Sequence, residues 1–313
     1  MSITFDPNHW ALILGGSSGF GLASAQKLSR HGMNVALIHR DRKGAMGAIE
    51  PKFEELRRTG VGFLALNLDA LSPEGRKTSL DALATAMGPK GRVRMLMHSI
   101  AFGNLKPLAP PAPSRDAATT LLAQQLKIDR TVLAAAVRAA FSTGGADALA
   151  GLLDIPVSDS DAVLEEEDFA RTVHSMGTSL VTWTQDLFAR KLFAEDARVL
   201  GMTSEGNEIA WRGYAAVAAA KVALESVSRA IAVELGPYGI RSNIVQAGVT
   251  DTPALRLIPG SDRMKAEARA KNPLGRLTLP SDVADFICLL CTDEAHWLNG
   301  ALLRCDGGER IAG

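Results

Sequence analysis

The sequence has little that would place it outside the reducing interior of a cell. Three cysteines in 313 residues are too few for a disulfide framework and suit a reducing compartment. No apolar run approaches the roughly 18–20 residues that a membrane span needs. The first ten residues, MSITFDPNHW, lack the basic start and apolar stretch of a signal peptide, so a cytoplasmic location is expected. Neither sign of charge is in excess, with 34 Lys+Arg against 34 Asp+Glu; nucleic-acid binding, which wants a basic surface, has no support. No internal repeat is visible. What the chain does have is apolar residues, 47% of the total, enough for a sizeable core in one large α/β domain or two small ones.

Cys288 and Cys291 form a C-x-x-C pair inside DVADFICLLCTDEA. The apolar residues of that stretch recur at helical spacing and no second ligand pair accompanies them, so they are expected to be buried core thiols rather than a metal or redox site.

Apolar runs alternate with helical patterns from the start. WALILGG, NVALIH, VGFLALNL and VRMLMHS read as strands, each followed by a helical stretch, and ARVLGMTS, GIRSNIVQAG and GALLRCDGG continue the series. Pro51 is expected to break or restart the second helix. Near-continuous apolar strands joined by helices indicate a parallel sheet buried on both faces. With right-handed crossovers this is a doubly wound, Rossmann-like α/β sheet. One segment breaks the rhythm. After the fourth strand, prolines at 107–113 give way to apolar residues at 121, 122, 126, 132, 133, 136, 137 and 141, an amphipathic helix stopped by Gly144 and Gly145. Residues 104–164 are too long for an ordinary βα connection and read as a helical insertion carried on a single domain spanning 1–313.

LGGSSGFGLA follows the first strand and opens the first helix. Gly15, Gly19 and Gly21 form G-x-x-x-G-x-G, the arrangement that turns a chain tightly, lets backbone N–H groups approach a pyrophosphate and packs the helix close to the sheet. Ser17, Ser18 and Phe20 lie between these glycines and belong to the same candidate dinucleotide cradle. At the end of the second strand an acidic residue would bond a ribose 2′-hydroxyl, whereas arginine favours a 2′-phosphate. The chain has His39, Arg40, Asp41 and Arg42 there. Arg40 comes first, which leans to NADPH; Asp41 keeps NADH possible.

WRGYAAVAAAKVALE puts Tyr214 seven residues before Lys221 in an expected helix. On its own the pair is as well explained by an alanine-rich helix. Together with the glycine loop and QAGVTDTPA, it resembles the short-chain dehydrogenase/reductase family over most of the chain, the insertion excepted. Where most of that family has the lysine four residues after the tyrosine, this chain has Ala218. The wider spacing resembles the enoyl-acyl-carrier-protein reductases, as do MHSIAFG at 97–103 and GVTDTPALRLIPG at 248–260. Two departures qualify this. The glycine loop is the ordinary family form, not the more spread loop of the commonest bacterial enoyl reductases. The second tyrosine that those enzymes carry ten residues before the catalytic one is Ser204 here. The chain is thus more similar to enoyl reductases that keep the ordinary loop and prefer NADPH. The asparagine of the ketoreductase proton relay aligns with Met176.

The resemblance implies reduction of a 2-enoyl thioester by hydride attack on its β-carbon, with Tyr214 donating a hydrogen bond to the oxygen where charge develops. Lys221 would bind the nicotinamide ribose and supply positive charge. Seven residues are two helical turns, roughly 10 Å of rise, so the two side chains share a face. Ser204 is either a second donor or a satisfied hydroxyl at a strand end. Ser99, Ile100 and Ala101 are expected beside the cofactor. Asp69 is expected either at the adenine or as a helix cap, and Val249 and Thr252 at the nicotinamide amide and phosphates or in a plain turn. Residues 251–273 should form a lid, with Leu255, Leu257, Ile258 and Met264 as apolar wall. Its Arg256, Arg263, Lys265, Arg269 and Lys271 are either solvated surface or a docking patch for an acidic acyl carrier protein. The family also implies a homo-oligomer, a tetramer. A ketoacyl or other carbonyl reductase is the alternative, and a non-catalytic cofactor-binding scaffold is a third reading.

Overall fold

The computed structural model describes residues 3–110, 117–143, 147–152 and 162–312. Seven strands make one parallel sheet: β1 (His9–Leu14), β2 (Asn34–His39), β3 (Phe63–Asn67), β4 (Arg92–His98), β5 (Phe193–Thr203), β6 (Ile240–Ala247) and β7 (Leu302–Cys305), in the order β3-β2-β1-β4-β5-β6-β7. Alternate residues of each strand point to opposite faces. Ala11, Ile13, Val35, Leu37, Met95 and Met97 meet helices α1 (Gly19–Arg30), α2 (Met46–Arg57) and, later in the chain, Pro280–Leu290 on one face. Leu12, Leu14, Ala36, Ile38, Leu96 and Val199 meet α3 (Pro73–Met87) and the helices Ser179–Ala189 and Ala215–Leu235 on the other. The doubly wound sheet expected from the apolar runs is therefore what forms. The chain reverses direction across the sheet between β1 and β4, so the crevice for a ligand lies at the C-terminal ends of those strands.

Pro51 does not break its helix: α2 runs through it from Met46 to Arg57. Pro51 and Gly47, the residue whose carbonyl loses its donor, are both exposed, so the missing backbone bond falls on the solvent side of the helix.

The insertion also departs from expectation. Instead of one amphipathic helix there are two, α4 (Ala117–Leu126) and α5 (Arg130–Thr143). Between them Lys127 adopts φ +55°, and Asp129 accepts from the Thr131 N–H at 2.7 Å. This break resets the helical phase. Leu122, Leu133 and Val137 turn inward with Ala123 and Leu152, whereas Leu121, Leu126 and Val132 are exposed. Gly144 and Gly145 lie outside the described residues. The remaining helices are α6 (Glu166–Val173), α7 (Ser179–Ala189), α8 (Ala215–Leu235), α9 (Pro253–Arg256), α10 (Ser261–Lys271) and α11 (Pro280–Leu290). A single wide turn, His174–Thr178, joins α6 to α7. Cys288 and Cys291 are fully buried on α11 and its cap, and burial pushes the Cys291 thiol up to about 12. Among the described residues no cluster of potential metal ligands occurs, and no helix is long and apolar enough to cross a membrane.

Candidate active site

The glycine loop closes the C-terminal end of β1. Gly15 adopts φ +88°, and a Cβ there would run into the Ser99 carbonyl oxygen; a Cβ on Gly21 would strike the Gly15 carbonyl oxygen. Ser99 donates its N–H to the Leu14 carbonyl at 2.9 Å. Both glycines are thus fixed by close approach, one to the β4 loop and one within the cradle itself. Helix α1 begins at Gly19, the Ser18 side chain makes no capping bond, and no acidic residue stands in the first turn. The N–H groups of that turn are left for an anion, as a pyrophosphate requires. Ser17 is buried and Phe20 half-buried beside them. The methyl of Thr252 comes within 3.6 Å of where a Gly19 Cβ would be, so the loop after β6 faces the same cradle. Thr252 also caps α9, accepting from the Leu255 N–H.

Beyond the cradle, Arg40 is exposed and donates to Asp69 at 3.1 Å, with its guanidinium 5.5 Å from the ring centre of Phe102. Asp41 is already committed. Its carboxylate takes the His39 Nδ1 at 2.9 Å, and its backbone bonds both ways with the Asn67 amide. Asp69 is not the cap of α3: that is Ser72, which accepts from the Gly75 N–H at 3.0 Å, while Asp69 accepts from the Leu71 N–H. Ile100 packs on the core and Ala101 is exposed on the same loop.

The C-terminal end of β5 brings the reacting candidates together. Tyr214 is the N-cap of α8, with φ −110° and ψ 3°, so the two-turn projection onto one helix face does not apply to it; its ring is carried by the loop before the helix. Its hydroxyl lies 3.3 Å from the Ser204 Oγ. Burial pushes the phenol up, a tendency opposed by the Ser204 bond; it stays protonated and able to donate. Lys221 is 7% exposed and donates to the Met202 carbonyl at 2.8 Å. Burial pushes its pKa down to about 8, with the Glu225 carboxylate acting the other way. Met176 is buried against Tyr214, Val217 and Ala220. His98 bonds Ser179 Oγ at 2.8 Å, and burial lowers its pKa to about 3, which keeps it neutral.

The other wall is the loop after β6. The Val249 N–H donates to the carboxylate of Glu309, a residue 3% exposed. Over it lie α9 and α10. Leu255, Ile258 and Met264 are half-buried, but Leu257 is 74% exposed and does not belong to an inner wall. The basic residues of this segment are largely engaged: Arg256 and Lys265 with Asp251, Arg263 with Glu267, and Arg269 with Asp147 of the insertion.

Three contributors were given no role from the sequence. Gly206 lies under the Tyr214 ring, where any Cβ would collide with it. Glu309 reaches the site from a distant part of the chain, and Phe102, next to Ala101 within MHSIAFG, meets Arg40. Gly206 and Glu309 have no local sequence signal, because each acts through tertiary approach; the motif around Phe102 could have found it.

The chain matches, over residues 148–309, the family model described as enoyl-(acyl carrier protein) reductase. An uncharacterised oxidoreductase of Methylorubrum extorquens is 32% identical over 171 residues, which are 51% of this chain and 67% of that protein. Across three curated relatives the alignments take in 67%, 42% and 68% of their lengths. The enoyl-(acyl-carrier-protein) reductase of Anaplasma phagocytophilum, solved with NAD, superposes with a TM-score of 0.68 at 19% identity, covering 100% of this chain and 96% of that one. The 3-ketoacyl-(acyl-carrier-protein) reductase of Brucella melitensis, solved with NADH, gives 0.65 at 22% identity, covering 96% and 98%. The chain belongs to the short-chain dehydrogenase/reductase family of oxidoreductases.

Proposed function

We propose that the protein reduces the trans-2 double bond of a 2-enoyl thioester with NADPH. The observation that carries this reading is the β5 end, where the Tyr214 hydroxyl lies 3.3 Å from Ser204 with Lys221 buried behind it and the apolar Met176 alongside. A nicotinamide dinucleotide bound along the glycine cradle would supply the hydride. The chain's own residues do the rest. The N-terminus of α1 holds the pyrophosphate. Arg40, held by Asp69 rather than by Asp41, would exchange that partner for a 2′-phosphate, and this favours NADPH over NADH. Tyr214 donates to the thioester oxygen as negative charge builds there, the kind of donor whose removal costs on the order of 10²–10³ in turnover. Lys221 holds the ribose and lends positive charge, and Ser204 orients the phenol.

The Ser204–Tyr214 pair would serve a ketone oxygen equally well, so carbonyl reduction is the second reading. A carrier-linked substrate has less support from the lid, whose cations are largely paired; a coenzyme A thioester serves as probe. Exposed Val222 and Val233 on α8 and the 87% exposed Trp297 support a homo-oligomer, a tetramer by family.

The test follows NADPH absorbance with crotonyl-CoA, then acetoacetyl-CoA, then neither, and repeats the first with NADH. Turnover of crotonyl-CoA that falls at least 100-fold in folded Tyr214→Phe is the expected result. Turnover of acetoacetyl-CoA alone moves the assignment to carbonyl reduction, and a fully active Tyr214→Phe overturns both.

A further inference from the structure

Helix α8 grips the end of β5 with two side chains one turn apart. Lys221 takes the Met202 carbonyl. Glu225, four residues on and therefore on the same helix face, accepts from the Thr203 hydroxyl at 2.7 Å and from the Asn207 amide at 2.6 Å, both through one carboxylate oxygen. Thr203 ends β5, and Asn207 ends the single 3-10 turn that Ser204 caps. Glu225 thus ties down both ends of the segment that carries Ser204. Gly206, in the middle of that segment, is the residue against which the Tyr214 ring rests. A shift of the turn would move the Ser204 hydroxyl and the seat of the tyrosine together.

We infer that Glu225 is a positioning residue of the proposed reaction, holding the Ser204 turn against Tyr214 and setting its charge one helical turn from Lys221. This rests on the reading of Tyr214, Ser204 and Lys221 given above. The electrostatic half follows from what faces the ammonium. From β4, His98 is neutral and adds no counter-charge; His174, on the wide turn after α6, acts on His98 in turn. From the Ser204 turn, Glu205 acts on Tyr214. From β6, the register partner of Thr203 is the uncharged Gln246. Glu225 is the carboxylate whose charge bears on Lys221, opposing the burial that favours proton loss.

The two halves separate by substitution in the full-length protein, assayed with NADPH and crotonyl-CoA. Glu225→Gln keeps an oxygen for Thr203 and Asn207 but removes the charge. Its turnover at pH 6 should stay within about threefold of the parent, while the alkaline limb of kcat/KM moves down by about one pH unit, the least that an adjacent opposite charge gives. Glu225→Ala removes the tie as well and should lower kcat about tenfold at every pH. In a Ser204→Ala background that further loss should largely vanish, because coupled residues are not additive. An unmoved alkaline limb in Glu225→Gln overturns the electrostatic half, and additive losses with Ser204→Ala overturn the positioning half. If Glu225→Ala does not fold, Thr203→Val and Asn207→Ala, which remove the same two bonds from the other side, carry the positioning test with and without Ser204→Ala. A fully active Tyr214→Phe would mean that the site reading itself had failed; an inactive Tyr214→Phe beside indifferent Glu225 variants would sink this inference alone.

Discussion

Both ends of the sheet bury cations, and they treat them in opposite ways. At the N-terminal end Arg94 and Arg198 are 3% and 1% exposed. Each has a carboxylate: Asp196 lies 2.7 Å from Arg94 and 2.5 Å from Arg198. Their remaining N–H groups cap the last turn of α11, reaching the carbonyls of Cys291 at 2.9 Å, Leu290 at 3.0 Å and Thr292 at 3.1 Å. At the C-terminal end Lys221 is as deeply buried, but it has one carbonyl for a partner. A guanidinium cannot shed its proton and so must be matched in full. An ammonium can, and one left short of partners has bonds to offer a ligand. Full pairing marks the end that holds the fold together; the underpaired cation marks the end proposed to react.

The largest expected effect tests the paired end. Arg198→Met leaves the Leu290 and Thr292 carbonyls without their donor and weakens the hold on Asp196. Asp196 keeps Arg94 and Arg241, so the loss comes from the two unmet carbonyls, about 1–3 kcal/mol each. Urea unfolding should show that loss, with activity per folded molecule unchanged, since Arg198 lies six residues before Ser204 and its side chain is turned to the end of α11. A loss below about 1 kcal/mol, typical of an exposed pair, would remove the distinction between the two ends.

The next effect runs the other way. Lys221→Met should lower turnover by two to three orders of magnitude, on the order expected for losing a group that stabilises developing charge, while making the free protein more stable at pH 7. The folded pKa of about 8 lies below the usual 10.5, so between those values the unfolded chain holds more protons. Stability of the parent should therefore rise with pH across that window. Below it the buried ammonium is a cost on the order of 2 kcal/mol, after allowance for its bond to Met202. Unfolding curves for parent and variant at pH 7 and pH 10 should be further apart at the lower pH. Equal separation at both would mean that the ammonium is not strained by burial.

The same contrast explains which features could be read from the sequence. The seven strands were legible because a sheet covered on both faces leaves near-continuous apolar runs, and the glycine loop because its packing contacts fall within a few residues of one strand end. The Tyr214–Lys221 pair was legible as a candidate through its spacing and the family it resembles, although Tyr214 proves to stand before the helix rather than in it. Glu225 stood in plain view four residues after Lys221, yet its partners Thr203 and Asn207 come from another element, and only the docking of α8 on β5 brings them within reach. The Arg94–Asp196–Arg198 cluster needs the register of β4 against β5 and the end of α11, and no local pattern encodes that. Pro51 misled because a helix can carry one missing backbone bond where that turn faces solvent, and Pro51 and Gly47 are both exposed. The insertion misled because one helical period was carried across Lys127, where the backbone turns left-handed.

The smallest effect concerns residues 251–273, where charges are paired at the surface rather than buried. Arg269 on α10 reaches Asp147 of the insertion with two nitrogens, at 3.0 Å and 2.6 Å, and the pair holds the Asp147 carboxyl below the usual carboxylate range. Their side chains are 35% and 28% exposed, intermediate between the guanidinium clusters of the core and a solvated pair. Asp147→Asn should accordingly cost less than about 1 kcal/mol of stability. The informative reading is kinetic. If the insertion forms part of the substrate wall, as its place beside α10 suggests, loosening it should raise KM for a long-chain enoyl-CoA about threefold and leave crotonyl-CoA unchanged, the loss of roughly 0.6 kcal/mol of binding. A uniform change in KM across chain lengths would detach the insertion from substrate selection. A stability loss of several kcal/mol would show instead that a half-exposed ion pair here holds the structure as firmly as the buried arginines do.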